Sequence, residues 1–193
     1  MALESIAERL LALKVIAGDT NTQKRVSQAA AFSVIAEYKT RIFVDGLDKD
    51  LQPIGQYSFT SFYINPNSPQ LFGVSSSSIN PAGKYGNTTF KNGKPHKTKY
   101  LADGYSELRN LTGRQNATVD LNFSGSLFNS VKVIEDGNNS VVAYTVASEA
   151  EKMVWNEIRF GKDISTVSDN EQKIGAEAAQ LEFLAILEEF DLQ

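Results

Sequence analysis

Apolar residues recur at helical spacing at both ends of the chain. Near the N-terminus they follow the i, i+3, i+4 rule over residues 1–18, and a longer run over residues 22–45 places small residues on one face. Residues 169–190 carry two apolar stripes, one of which consists of Phe183, Ile186, Leu187 and Phe190. Ser168 precedes this helix and Glu171 lies in its first turn, with the spacing of a capping box. The pattern predicts two N-terminal helices and a C-terminal helix that is covered on two sides, by its own chain or by a neighbouring subunit.

Alternation typical of β-strands is clearest in residues 118–147. Val119, Leu121 and Phe123 alternate with polar residues, and two further apolar runs flank a five-residue turn over 135–139, which predicts a hairpin. Residues 103–112 are interpreted as a short helix, and residues 148–160 as a short amphipathic helix or turn that contains Met153, Val154, Trp155 and Phe160. The fold class is therefore α+β, in which an antiparallel sheet built on the 118–147 hairpin packs against the N-terminal and C-terminal helices.

Residues 47–100 differ from the rest of the chain. They hold all five prolines, a run of four serines and several glycines, and their only β-rich stretch is 57–64. So long a segment with so little periodicity is usually functional, or is ordered only by a partner. We predict a single domain of residues 1–193 in which 47–100 is an extended loop or arm.

The composition excludes several kinds of catalytic and metal site. The chain has no cysteine and one histidine, His96, which removes disulfides, thiolate metal sites and cysteine nucleophiles, and leaves a single candidate base for a Ser-His-Asp triad. His96 lies in a basic loop with no partner indicated by spacing, and no phosphate-binding glycine loop is present. We expect no enzyme, no cofactor and no metal.

The sequence also gives no sign of a membrane segment. No apolar run is long enough to span a bilayer, and charged residues interrupt the first 18 residues, where a signal peptide would be apolar. We expect assembly in a cytoplasm and no membrane partner.

The charges are unevenly distributed. Residues 84–114 hold seven Lys/Arg against two Asp/Glu, whereas residues 145–193 hold four against eleven. Such opposed segments indicate complementary surfaces, within one subunit or between subunits. The basic segment mixes aromatic residues with lysines, so it is interpreted as a protein-docking arm, a DNA-facing surface or a plain solvated loop. Its lysines are Lys84, Lys91, Lys94, Lys97 and Lys99.

One short motif leads into the predicted hairpin. Ser124, Gly125, Leu127, Ser130 and Val131 form a small-Gly-x-Leu-x-x-Ser-Val pattern, in which Gly125 is expected in a left-handed or bulged conformation and Leu127 at the start of a strand. With its order of elements, the chain resembles the tailed-phage tail-completion and head–tail joining proteins of the phage morphogenesis type. Their Thr/Ser-Gly-x-Leu-x-x-Ser-Ile/Val segment also leads into a hairpin.

The resemblance implies a structural virion protein rather than an enzyme. Such a protein forms a ring at the neck of the virion, of six or twelve copies, through which DNA passes. A portal or adaptor protein would bind on one side and a tail tube or tail-terminator protein on the other, after assembly in the bacterial host cytoplasm. We expect the subunit interface at Phe183, Ile186, Leu187, Phe190 and Trp155.

Two other function classes remain open at this point. The first is a nucleic-acid-binding phage accessory protein that uses the basic 84–99 loop. The second, a cell-wall or glycan hydrolase, needs an acid/base pair of carboxylates, and no residue stands out for that role.

Overall fold

The computed structural model describes residues 2–65, 68–71, 74, 85–89, 95–115, 117–122 and 124–190, with the backbone alone for 2–7, 85–89 and 95–99. The chain divides into two compact units. The first combines Met1–Ile54 with Asp120–Gln193, and the second is Gly55–Val119. The predicted single domain thus consists of two units, the second inserted between the two halves of the first.

The described elements are six α-helices and five strands, with one π-helical turn and one 3₁₀ turn. In chain order they are α1 (Ala2–Gly18), α2 (Thr20–Thr40), the π-helical turn Arg41–Asp45, β1 (Phe62–Ile64), the 3₁₀ turn Pro69–Leu71, β2 (Tyr85–Thr89), β3 (Pro95–Leu101), α3 (Gly104–Leu111), α4 (Ser126–Ser130), β4 (Val131–Asp136), β5 (Asn139–Tyr144), α5 (Ala147–Phe160) and α6 (Asp169–Glu189). This mixture of helices and antiparallel strands confirms the predicted α+β class.

In the first unit, α2 packs against α6, its antiparallel neighbour. The Arg25 guanidinium near the start of α2 binds the carboxylates of Glu182 and Glu189 near the end of α6, each at 2.9 Å. Further along, Gly175 of α6 faces Val34 of α2 so closely that a Cβ at position 175 would lie 2.7 Å from the Val34 Cγ2 atom. The small residue therefore sets the close approach of the two helices.

The hairpin β4–β5 also packs against α2. The Ser27 hydroxyl accepts a hydrogen bond from the Ser140 amide at 3.0 Å. Near the other end of α2, the hydroxyls of Tyr38 and Tyr144 lie 2.7 Å apart. Burial is the main cause that raises the pKa of Tyr144 to about 12 and raises that of Tyr38 further. α2 is thus the central element of the unit, because it contacts both α6 and the hairpin.

The turn of the hairpin is shorter than predicted. Its strands pair from Val131↔Tyr144 to Asp136↔Asn139, so the turn has two residues, Gly137 and Asn138, in place of the predicted five. Gly137 has φ 60, as a tight two-residue turn requires.

The predicted strand over 119–123 is wrong in its described part. Leu121 has φ 50, a left-handed conformation that interrupts a regular strand, and the Asp120 carboxylate accepts a hydrogen bond from the Asn122 amide two residues on. This Asp-turn competes with strand pairing. Phe123 lies outside the described residues.

The second unit contains a three-stranded antiparallel sheet in the order β1-β3-β2. Leu101, Leu108 and Val119 are fully buried in it. The Arg109 guanidinium lies 4.4 Å from the ring centroid of Tyr57, and its Nε donates to the Gln115 carbonyl at 2.6 Å. Most of the 47–100 segment, predicted as an extended loop or arm, therefore belongs to this unit, to which it contributes strands and the buried residues Tyr57, Ile64 and Leu71.

Candidate interaction surfaces

The Ser-Gly-x-Leu-x-x-Ser segment forms a structural corner. Gly125 has φ 78, which confirms the predicted left-handed conformation, but Leu127 is buried in α4 and does not begin a strand. The Ser130 hydroxyl donates to the Leu127 carbonyl at 2.7 Å, and the Ser130 carbonyl accepts from both the amide and the hydroxyl of Thr145. The Ser124 hydroxyl closes the turn by donating a hydrogen bond to the Ser126 hydroxyl at 2.9 Å. These bonds end α4 and fix the start of β4.

The five residues expected at a subunit interface lie in different environments. Ile186 is only 1% exposed, so its side chain packs within its own unit and is not available to a second copy. Phe183 and Leu187 are half-buried. Phe190 and Trp155 are 57% and 71% exposed, and these two alone offer a large apolar surface.

The predicted lysine surface is only partly described. Lys84, Lys91 and Lys94 lie outside the described residues. Lys97 and Lys99 occupy alternate positions of β3, where the backbone pairs them with Asn87 and Tyr85 of β2.

An apolar groove runs between α1 and the end of α6. Leu10, Leu11 and Val15 of α1 are 61%, 64% and 66% exposed. The groove has a volume of about 570 Å³ and is lined by Glu8, Leu11, Ala12, Val15, Ile16 and Phe190. We call it the α1–α6 groove. Its lining is almost entirely apolar, which suits a helix or strand of another protein chain rather than a polar substrate.

Two further apolar surfaces lie on α6 and α5. On α6, Leu181, which belongs to the second predicted apolar stripe, is 69% exposed, and the nearby Leu184 is 46% exposed. We call Leu181 and Leu184 the α6 stripe. On α5, Val154, Trp155 and Ile158 are 53%, 71% and 68% exposed and follow helical spacing. The buried side of α5 carries Met153 instead.

A buried ion pair connects the elements around the start of α6. The Arg41 Nε atom donates to Glu171 Oε1 at 2.6 Å, and both residues are almost fully buried. The remaining guanidinium donors bind the carbonyls of Leu47, Ile164 and Thr166 at 3.0–3.2 Å. The other Glu171 oxygen accepts from the Ser168 amide at 2.7 Å, which completes the predicted capping box.

A second polar cluster joins the loop after α2 to the loop before α6. Asp48 binds Lys162 at 2.9 Å, and Lys49 binds Asp163 at 3.0 Å. Burial acts to raise the pKa of Asp48, but the hydrogen bonds from Lys162 and from the amides of Gln52 and Asp50 outweigh it, so that pKa lies below its ordinary 3.8. We call these paired residues the loop junction.

A polar cleft of about 590 Å³ lies beside the loop junction. It is lined by Lys49, Asp50, Leu51, Thr166, Val167, Ser168, Asp169, Asn170 and Gln172. Lys49 forms an ion pair with Asp163, and the Ser168 hydroxyl accepts a hydrogen bond from the Glu171 amide in the capping box. These charged and hydroxyl groups hold the two loops and the helix start together, so the geometry gives the cleft a structural role.

The described residues hold no group of three or more His, Asp or Glu side chains placed to bind a metal ion. Among them, too, no helix combines the length and the apolar character that crossing a membrane requires. Comparisons with protein-family models, with curated proteins and with solved structures found no match to this chain. The exposed apolar surfaces and the sequence motif are therefore the features that bear on its function.

Proposed function

We propose that the chain is a structural virion protein of a phage head–tail interface, which forms a ring through which DNA passes and joins portal-side proteins to the tail. The proposal rests on the resemblance carried by Ser124, Gly125, Leu127 and Ser130. The observation that supports it most directly is the uncovered α1–α6 groove together with the exposed residues Leu181 and Leu184 on α6. Apolar surfaces of this kind mark contacts with other chains.

The two surfaces suggest how a ring forms. The groove is lined mainly by apolar side chains, and Leu181 and Leu184, which do not line it, are exposed apolar residues on another part of the same unit. A contact between the groove of one copy and the α6 stripe of the next is heterologous. Heterologous contacts generate a closed ring when the rotation between neighbours closes. Six or twelve copies remain our expectation for its size.

The experiment that tests this uses two variants, one on each surface. Leu11→Asp introduces a charge into the groove, and Leu181→Asp introduces a charge into the stripe; both side chains are more than 60% exposed, so neither change disturbs the core. Native mass spectrometry of the unaltered chain should give closed rings, and each variant alone should give no ring.

Mixing the two variants gives the sharper result. The Leu11→Asp chain keeps its α6 stripe and the Leu181→Asp chain keeps its groove, so one intact contact forms per pair and assembly stops at a heterodimer. An alanine change at Phe59, which is exposed in the second unit, is the matched control and should leave ring formation intact. Rings in both aspartate variants, or a strictly monomeric unaltered chain, would contradict the proposal.

The alternative is a nucleic-acid-binding accessory protein that uses the basic 84–99 segment. The excess of Lys/Arg in residues 84–114 favours it. It predicts a DNA affinity that falls steeply with salt concentration, because each neutralised phosphate releases a counterion. Absence of DNA binding at low salt would remove this alternative.

A further inference from the structure

The apolar face of α5 has a charge pattern that is complementary to itself. Trp155 is at its centre, Glu151 lies four residues before it and Arg159 four residues after it. All three side chains are exposed. Residues four apart lie on the same side of a helix. The face therefore presents an acidic, an apolar and a basic side chain in turn along about 12 Å of the helix axis.

We propose that this α5 face pairs with α5 of a second copy in antiparallel orientation, around a two-fold axis near Trp155. In such a contact, residue i meets residue j and residue j meets residue i. Glu151 of each copy then lies opposite Arg159 of the other, and the two indoles meet at the axis. A parallel arrangement would place Glu151 opposite Glu151 and Arg159 opposite Arg159, which is repulsive.

The flanking residues favour the same arrangement. Val154 and Ile158 lie beside the indole and are more than half exposed, so they extend the apolar contact on each copy. Antiparallel helices also place the positive end of one helix dipole beside the negative end of the other. Lys152 is bound to Glu149 of the same helix and does not compete for Glu151 of the second copy.

The size of the face sets the strength of the contact. The exposed parts of its three apolar side chains amount to roughly 400 Å² per copy, or about 800 Å² for a pair. Stable specific interfaces bury about 1,200–2,000 Å². We therefore expect the pairing to be weak in free solution. It is independent of the neck role, because it concerns the free chain and uses a different helix from the groove-to-stripe contact.

Trp155 is the only tryptophan of the chain and reports on this contact directly. The test follows its fluorescence emission and the sedimentation coefficient of the full chain from about 5 to about 500 µM. The chain carries Leu11→Asp throughout, so that groove-to-stripe assembly does not contribute. We expect the emission to shift to the blue and the sedimentation coefficient to rise toward that of a dimer.

Charge exchange identifies the orientation. Glu151→Arg and Arg159→Glu should each weaken pairing about tenfold, because two attractive pairs become two repulsive ones. The chain with both changes should pair like the unaltered one, and an equimolar mixture of the two single variants should pair more tightly than either alone. Lys173→Glu, on the exposed surface of α6, is the control and should change nothing.

Two results would overturn the proposal. One is a monomer with unshifted emission at the highest concentration. The other is association that the single charge changes leave unaffected, or that the double change fails to restore. Circular dichroism of each variant verifies that α5 remains folded, since Arg159 also interacts favourably with the C-terminal end of its own helix.

Discussion

The buried pair of Arg41 and Glu171 allows a quantitative prediction for Glu171→Ala. The substitution removes a carboxylate that is 0% exposed and leaves the Arg41 guanidinium, 3% exposed, with carbonyl partners only. It also removes the acceptor of the Ser168 amide at the start of α6. The remaining guanidinium charge is then uncompensated in the interior of the first unit.

The expected loss is large. Removal of one member of a buried ion pair costs about 3–5 kcal/mol, because the other charge stays buried and unpaired. For a protein of this length, that loss lowers the melting temperature by about 10 °C. Replacing both residues by apolar ones, Arg41→Met with Glu171→Leu, should cost less than Glu171→Ala alone, since no charge is left buried.

The assay is equilibrium unfolding in urea, followed by circular dichroism at 222 nm as the helical signal. The matched control is Glu135→Ala, which breaks the exposed pair of Glu135 with Lys24 and should cost less than about 1 kcal/mol. If Glu171→Ala cost no more than this control, or if the double apolar variant were the least stable of the three, the reasoning about the buried pair would be refuted.

Three further predictions concern packing and pH. Gly104→Ala should destabilise the second unit by several kcal/mol, because its Cβ would meet the carbonyl oxygens of residues 58 and 60, whereas Gly113→Ala, also at positive φ but with open space around it, should cost about 1 kcal/mol in thermal unfolding. Gly175→Ala should destabilise the first unit by about 1–3 kcal/mol through its clash with Val34, and Val34→Ala in the same chain should recover part of that loss. Since the folded-state pKa of Asp48 lies below 3.8, its stabilising contribution is present at neutral pH and is lost as pH falls through that lower pKa; an Asp48→Asn chain should therefore lose less stability than the unaltered one between about pH 5 and about pH 2 in acid titrations.

The helices were predictable because local pattern decides them. Strong 3.6-residue periodicity located α1, α2 and α6, and the pair Ser168 and Glu171 located the start of α6 within one residue. The left-handed Gly125 was also predictable, since glycine followed by a helix or strand start is a local signal. These features depend on residues only a few positions apart.

The wrong and missed predictions concern places where distant or competing interactions determine the structure. The alternation at 119–123 indicated a strand, but the Asp120 carboxylate binds the Asn122 amide and turns the chain. Arg41 and Glu171 are 130 positions apart, and no local pattern connects them. The amphipathic pattern of α5 was recognisable, but it did not show which side of the helix is buried. In the structure the side with Met153 is buried and Trp155 is exposed.

The measurement that tests the central claim most directly is native mass spectrometry of the purified full chain over a concentration series, combined with electron-microscope class averages of the same sample. The proposal predicts closed rings of six or twelve copies with a central hole, and their loss on either Leu11→Asp or Leu181→Asp. A chain that stays monomeric at every concentration, or that forms only open aggregates insensitive to both changes, would contradict it.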